Sequence, residues 1–216
     1  MLQNHKERRP RGRPPVRSDE ETLHLIVEAA AQEFQANGFA GTSVDAVARR
    51  AGVSSRTLYR LVPTKAALFS KVISEHIDQF ITAIEDTGLD ALALDASLER
   101  ILISYGILTL GRDAILMLQL VVSERGRFPE LASTFYTDAM QRTGNVLEQW
   151  LRHQQELGRI TLEDPALASG MLRGMITMEP QRGVLLGQRT YPEIDEIRMR
   201  ARMCARLFLD GCRTKG

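Results

Sequence analysis

The 216-residue chain is short of several things, and each shortage excludes something. No run of about eighteen or more apolar residues occurs, so no transmembrane helix is expected. The N-terminus has no apolar stretch of the secretory type, which points to a cytoplasmic protein. Cysteine is limited to Cys204 and Cys212, close together near the end of a helical pattern. Such a pair builds neither a disulfide framework nor a metal motif, and both read as small core-facing residues. The histidines, His5, His24, His76 and His153, are scattered without metal-ligand spacing. There is no Walker loop, no G-x-S-x-G and no cofactor fingerprint. An enzyme therefore has little to stand on, and neither a metal nor a cofactor is expected. Strand-type alternation is scarce, and no internal repeat is found.

What remains is helix. Ser18 opens the first one in a capping box with Glu21, and Leu23, Ile26, Val27, Ala30 and Phe34 form its apolar face. Gly38 reads as a left-handed C-cap. Two short helices follow, one capped by Thr42 and stopped at Gly52, the next capped by Ser54 and stopped before Pro63. Thr64 caps a long helix. Further helices are expected near 95–110, 112–125, from Pro129 to near Gly158, 164–178 and 192–212. Residues 179–193, with Pro180, Gly183, Gly187 and Pro192, read as a loop.

Charge is distributed unevenly. Residues 1–65 carry a net +4 and the remainder a net −3. The two short helices joined through "AGVS" have the form of a helix-turn-helix, with Ala46, Val47, Ala51, Val53 and Leu58 as its small hydrophobic knot. The second of them offers "SSRTLYR", hydroxyls and arginines suited to a major groove.

The stretch "AAQEFQANGFAGTSVDAVARRAGVSSRTLYRLVPTKAALF", residues 30–69, resembles the tetracycline-repressor family of bacterial transcription regulators. The shared pattern is F-x-x-x-G-[FY], then T-[ST]-[VM]-x-x-[IV]-A-x-x-A-G-V-S-x-x-x-[LIV]-Y, then P-[ST]-K-x-x-L. The resemblance covers roughly residues 18–70, and "SERGRFPELASTFY" further along is similar to some members' C-terminal domains. It implies an all-α protein of about nine helices. Residues 1–17 would be a basic arm, 18–66 a three-helix DNA-binding domain, and 67–216 a larger ligand-binding and dimerisation domain. The implied partners are double-stranded operator DNA, a second copy of the chain and a small-molecule ligand of unknown identity.

By position, the resemblance assigns DNA contacts to Thr42, Ser43, Ser54, Ser55, Arg56, Thr57, Tyr59, Arg60 and Lys65. Arg56 stands where the family often has Gly, and would meet either a base or a phosphate. Leu61 and Val62 replace the family's aromatic pair, so Leu61 has no hydroxyl for phosphate. Arg49 and Arg50 are either DNA contacts or a solvated helix face.

In the body, Met171, Met175 and Met178 share one helical face, with Met117 and Met140 in earlier helices. Phe135, Trp150 and His153 lie on one long helix. These eight residues are candidates for a ligand pocket, or else ordinary core. Gly170 and Gly174, one turn apart, together with Ile197, Ala201, Cys204 and Phe208, are candidates for the dimer interface that the family forms with its last two helices.

The arm adds one motif. "RPRGRPP" resembles the core of an AT-hook, with Arg11, Gly12 and Arg13 placed to enter an A·T-rich minor groove. The alternative is a basic tail with non-specific attraction. The expected function is a repressor released by a ligand. The alternatives are a ligand-independent architectural DNA-binding protein or, with least support, an enzyme.

Overall fold

The computed structural model describes residues 17–85 and 88–213, so Arg11, Gly12 and Arg13 lie outside the described residues. The helices are α1 (Asp19–Gly41), α2 (Val44–Ala51), α3 (Ser55–Leu61), α4 (Lys65–Glu85), α5 (Leu94–Leu110), α6 (Arg112–Glu124), α7 (Pro129–Thr134), α8 (Arg142–Glu156), α9 (Pro165–Leu185) and α10 (Ile194–Cys212). A π-helical segment, Phe135–Gln141, joins α7 to α8 in one continuous rod. With that rod taken as one, the described residues hold nine α-helical elements, a single 3-10 turn at Leu89–Ala91, and no strand. One isolated antiparallel bridge pairs Ile160 with Arg213.

Local chemistry sets most of the boundaries. Ser18 and Glu21 form the reciprocal capping box at the start of α1. Gly38 has φ 69 and ψ 172, a region open to glycine and little else, and the chain takes one more turn to Gly41. Thr42 does not cap α2. Its hydroxyl turns back to the carbonyls of Gly38 (2.7 Å) and Glu33 (3.0 Å), and Ser43 caps α2 through the Ala46 amide. The expected caps at Ser54 and Thr64 are present. Each such cap contributes about 1 kcal/mol.

The first part of the expected loop at 179–193, through Leu185, is helix, and residues 186–193 form the connection to α10. α9 runs through Pro180 to Leu185 and ends at Gly187, whose φ is 68. Pro180 lacks the amide that would continue the ladder, but Ile176, Thr177 and Pro180 are all buried. Packing therefore outweighs the local penalty. Gly183 leaves room for the Arg189 side chain, which pairs with Glu196 at 2.5 Å.

Two cores organise the molecule. The first is built on Ile26, Phe34, Val47, Leu58, Leu68 and Phe69, and it includes Met117, Val121 and Leu131 from further along the chain. Phe39 stands at its centre, with ring centroids 5.5 Å from Phe34, 5.9 Å from Phe69 and 5.0 Å from Phe128. The three-helix head is thus packed onto α6 and α7, not tethered to them. The second core joins α5, α8, α9 and α10 through Leu98, Leu102, Leu151, Leu172, Ile176 and Ala201. In it α10 lies close along α5, where Gly106 faces Ile197 with no space for a Cβ.

Candidate nucleic-acid interface and ligand cavity

Gly52, at φ 69 and ψ 32, reverses the chain between α2 and α3. Val47 and Leu58 are buried and fix the angle between these helices. Ala51 and Val53 pack partly buried against them, and Ala48, absent from the expected knot, is buried as well. With its apolar side so anchored, α3 turns Arg56, Tyr59 and Arg60 outward, and Arg49 is exposed at the end of α2. Tyr59 is 50% exposed, so it is not a core residue. The Ser54 hydroxyl caps Thr57 and bonds its side chain at 2.8 Å.

Several candidate residues carry intramolecular partners. Ser55 donates to Asp45 at 2.5 Å, tying α3 to α2. Arg60 makes a two-pronged pair with Asp19 at 2.6 and 2.7 Å, and that hydrogen bond holds the Asp19 carboxyl below its usual range. Arg50 is bonded to the buried Glu33 at 2.6 Å, so it secures α2 to α1 and is not a free groove cation. Thr42 is buried with its hydroxyl spent, which removes it as a phosphate contact. Lys65 also departs from expectation. Its ammonium donates to the carbonyls of Phe39 (2.6 Å) and Thr42 (2.9 Å) and sits 4.6 Å from the Phe39 ring. Partial burial lowers its pKa, with Glu124 opposing. Lys65 closes the end of α1, and few of its donors remain for DNA.

A cavity of about 750 Å³ opens between head and body. Its wall includes Ala31 and Gln35 from α1, Val72 and Phe80 from α4, and Met117 from α6. Of the expected pocket residues, Met117, Phe135, Met140 and Met178 line it. Trp150, His153, Met171 and Met175 do not. Trp150 is buried in the second core. The polar groups of the wall were not singled out in the sequence. They include Tyr105, Arg173, His76, and Gln35 bonded to Asp113 at 3.0 Å. The signal available for Arg173 was its isolation, a single cation in the stretch "GMLRGM".

The comparisons with known proteins bear on both sites. Residues 26–72 match the family described as bacterial regulatory proteins, tetR family. Residues 96–211, more than half of the chain, match the family described as AefR-like transcriptional repressor, C-terminal domain. The chain belongs to the tetracycline-repressor family. It is a member of a family of DNA-binding transcriptional regulators, which are not enzymes. It is 41% identical over 58 residues to the mycofactocin biosynthesis transcriptional regulator MftR of Mycobacterium tuberculosis, a match over 27% of this chain and 29% of that protein. Among solved structures it resembles a TetR-family regulator from Mesorhizobium loti, with TM-score 0.79 and 22% identity over 92% of this chain and all of that one. It also resembles the flavonoid-responsive regulator FrrA, with TM-score 0.72 and 27% identity over 91% of this chain and all of that one. A third likeness, to the regulator FadR from Bacillus subtilis in complex with stearoyl-CoA, has TM-score 0.67 and 20% identity over 87% of this chain and 98% of that one.

In this fold the α10 residues expected at a dimer interface face the chain's own core. Ile197, Ala201 and Cys204 are buried within the chain, and Phe208 packs partly buried on the second core. Burial raises the Cys204 thiol pKa, with Arg200 opposing. The opposite stripe of α10, Met199, Met203 and Leu207, is exposed. On α9 the exposed stripe is Leu167, Met171 and Met175, at 56, 59 and 42% exposure. Gly170 and Gly174 belong to the cavity wall, with open space where a Cβ would stand. The methionine face read as pocket is thus mostly outer surface, and the α10 face read as outer surface is core. Among the described residues, no single helix is long and apolar enough to cross a membrane.

Proposed function

We propose that the chain is a cytoplasmic, two-fold homodimeric repressor whose hold on a palindromic operator is released by a small, largely apolar molecule. The observation that carries this reading is the double origin of the cavity wall, with Ala31 and Gln35 from the DNA-binding head and the rest from the body. An occupant that fills the cavity touches both.

In this reading, Arg56 and Tyr59 enter the major groove, and Ser43, Ser54, Thr57 and Arg49 meet phosphates at its rim. Arg60 exchanges Asp19 for a phosphate on binding. The exposed stripes of α9 and α10 meet their copies in the partner, forming a four-helix interface. Two recognition helices must then fall about 34–36 Å apart to read successive grooves. A ligand changes the output only if it prefers one head position over another. The Gln35–Asp113 bond, from α1 to α6 beside the cavity, is the polar link such a ligand would strain or replace. A purely architectural DNA-binding protein has no use for this cavity.

The test is a panel of small apolar molecules, scored by thermal shift and by anisotropy on a selected operator duplex. Those that raise the melting temperature should weaken operator binding. Stabilising molecules that leave operator affinity unchanged would contradict the release mechanism.

A further inference from the structure

The cavity has one chemical feature that its size and apolar wall leave unused. Arg173 projects from α9 into it. Among the described residues no carboxylate pairs with its guanidinium. One arm donates to the Met140 carbonyl at 3.2 Å, the carbonyl of a residue in the π-helical segment. The guanidinium lies against Gly144, where a Cβ would come within 2.9 Å of it. Its Nε is buried without any hydrogen-bond partner. The Tyr105 phenol shares the wall with Arg173, and burial raises its pKa while the nearby Arg173 charge opposes that rise.

A half-buried guanidinium without a carboxylate, beside a largely apolar wall, is a ready partner for an anion. The other charged groups of the wall are Arg112 and Asp113, and Asp113 is already bonded to Gln35. His76 also lines the wall, bonded through Nδ1 to the Val72 carbonyl. The threonine hydroxyls of the wall are committed to backbone carbonyls, Thr109 to Tyr105, Thr143 to Ala139 and Thr177 to Arg173. The Tyr105 hydroxyl has a proton to give. Arg173 is thus a charged donor without a carboxylate partner, with the Tyr105 hydroxyl in the same mainly apolar wall.

We propose that the effector is an organic carboxylate with an apolar body, its carboxylate held by Arg173 and Tyr105 and its body lying along α4 and α6. The proposal rests on the cavity being the regulatory site and adds the ligand's chemical class. Arg–carboxylate pairing is directional and charge-assisted, which suits a single head group on a body of variable shape.

The experiment uses the full chain and two matched probe pairs, decanoate with 1-decanol and 2-naphthoate with 2-methylnaphthalene. Binding is read by calorimetry, and operator release by anisotropy. Each carboxylate should bind roughly tenfold or more tightly than its neutral partner. The two pairs distinguish a linear body from a planar one, and a carboxylate preference in either pair supports the proposal. In Arg173→Gln that preference should vanish while the neutral probe still binds, which also shows that the cavity remains folded. Tyr105→Phe should reduce it in part. If neutral and acidic probes bind equally and both release DNA, the carboxylate proposal falls and the regulatory cavity stands. If no probe binds, or bound probes leave operator affinity unchanged, both readings fall.

Discussion

The head and the far end of the body leave opposite kinds of chemistry unpaired. At the head, α2 and α3 present arginines and hydroxyls, with Arg49, Arg56 and Tyr59 outward. At the far end, α9 and α10 present leucines and thioethers, including Leu207 at 63% exposure. A charged face is content in water and waits for an anion. A contiguous apolar face is not, and it calls for a constant partner. Under the proposed function, the first surface makes a reversible contact with DNA and the second a standing contact with another copy. The cavity lies between them, its wall drawn from both halves.

The largest effect should come from the apolar face. Met171→Arg together with Met203→Arg places charge at its centre and should yield a monomer by sedimentation. Operator affinity should then fall by about 100-fold or more, because the second head no longer binds at high effective concentration. A dimer that persists would move the interface elsewhere. At the charged face, Arg56→Ala should cost about 1–3 kcal/mol of operator binding. Equal loss on random duplex would make Arg56 a phosphate clamp and not a base reader.

Within the body, Gly106→Ala would drive a methyl group into Ile197 between α5 and α10. It should lower stability by about 1–3 kcal/mol in denaturant titration. Wild-type stability in that variant would mean the two helices can separate freely. Lys65→Ala separates a DNA role from a structural one. The carbonyl bonds predict lower stability with the salt slope of DNA binding unchanged, whereas a phosphate contact predicts a slope flatter by about one. The smallest effect belongs to Asp19→Asn. Freeing Arg60 should strengthen binding a few-fold at low salt and little at high salt. In the wild type the Asp19 carboxyl is held below its usual value, so the pair is intact near neutral pH. It opens as pH falls through that depressed pKa, with the same release of Arg60.

The head was readable because its signals are local. Ser18, Ser54 and Gly52 act within a few residues of where they stand, and the family's spacing runs through the same stretch. Thr42 misled because two adjacent hydroxyls compete for one cap, and the fold gave it to Ser43 while burying Thr42 against Glu33. In the body the signals are not local. Helical period marks an apolar face on α10 but does not say which of two apolar stripes meets α5. Ile197 and Ala201 took the inside, Met199 and Met203 the outside. The bond of Gln35 with Asp113, and the shared cavity wall of Arg173 and Tyr105, bring together residues far apart in sequence, which no short pattern reveals. Pro180 misled for a related reason, since burial of its helix overrides its own breaking tendency.

In the proposed mode of action two heads read DNA together through one dimer. Selection from a random-sequence duplex pool, with the full chain, tests it most directly. The account predicts enriched sites with two inverted half-sites whose centres lie about 34–36 Å apart. Enrichment of a single unrepeated motif, bound one chain per duplex, would contradict it.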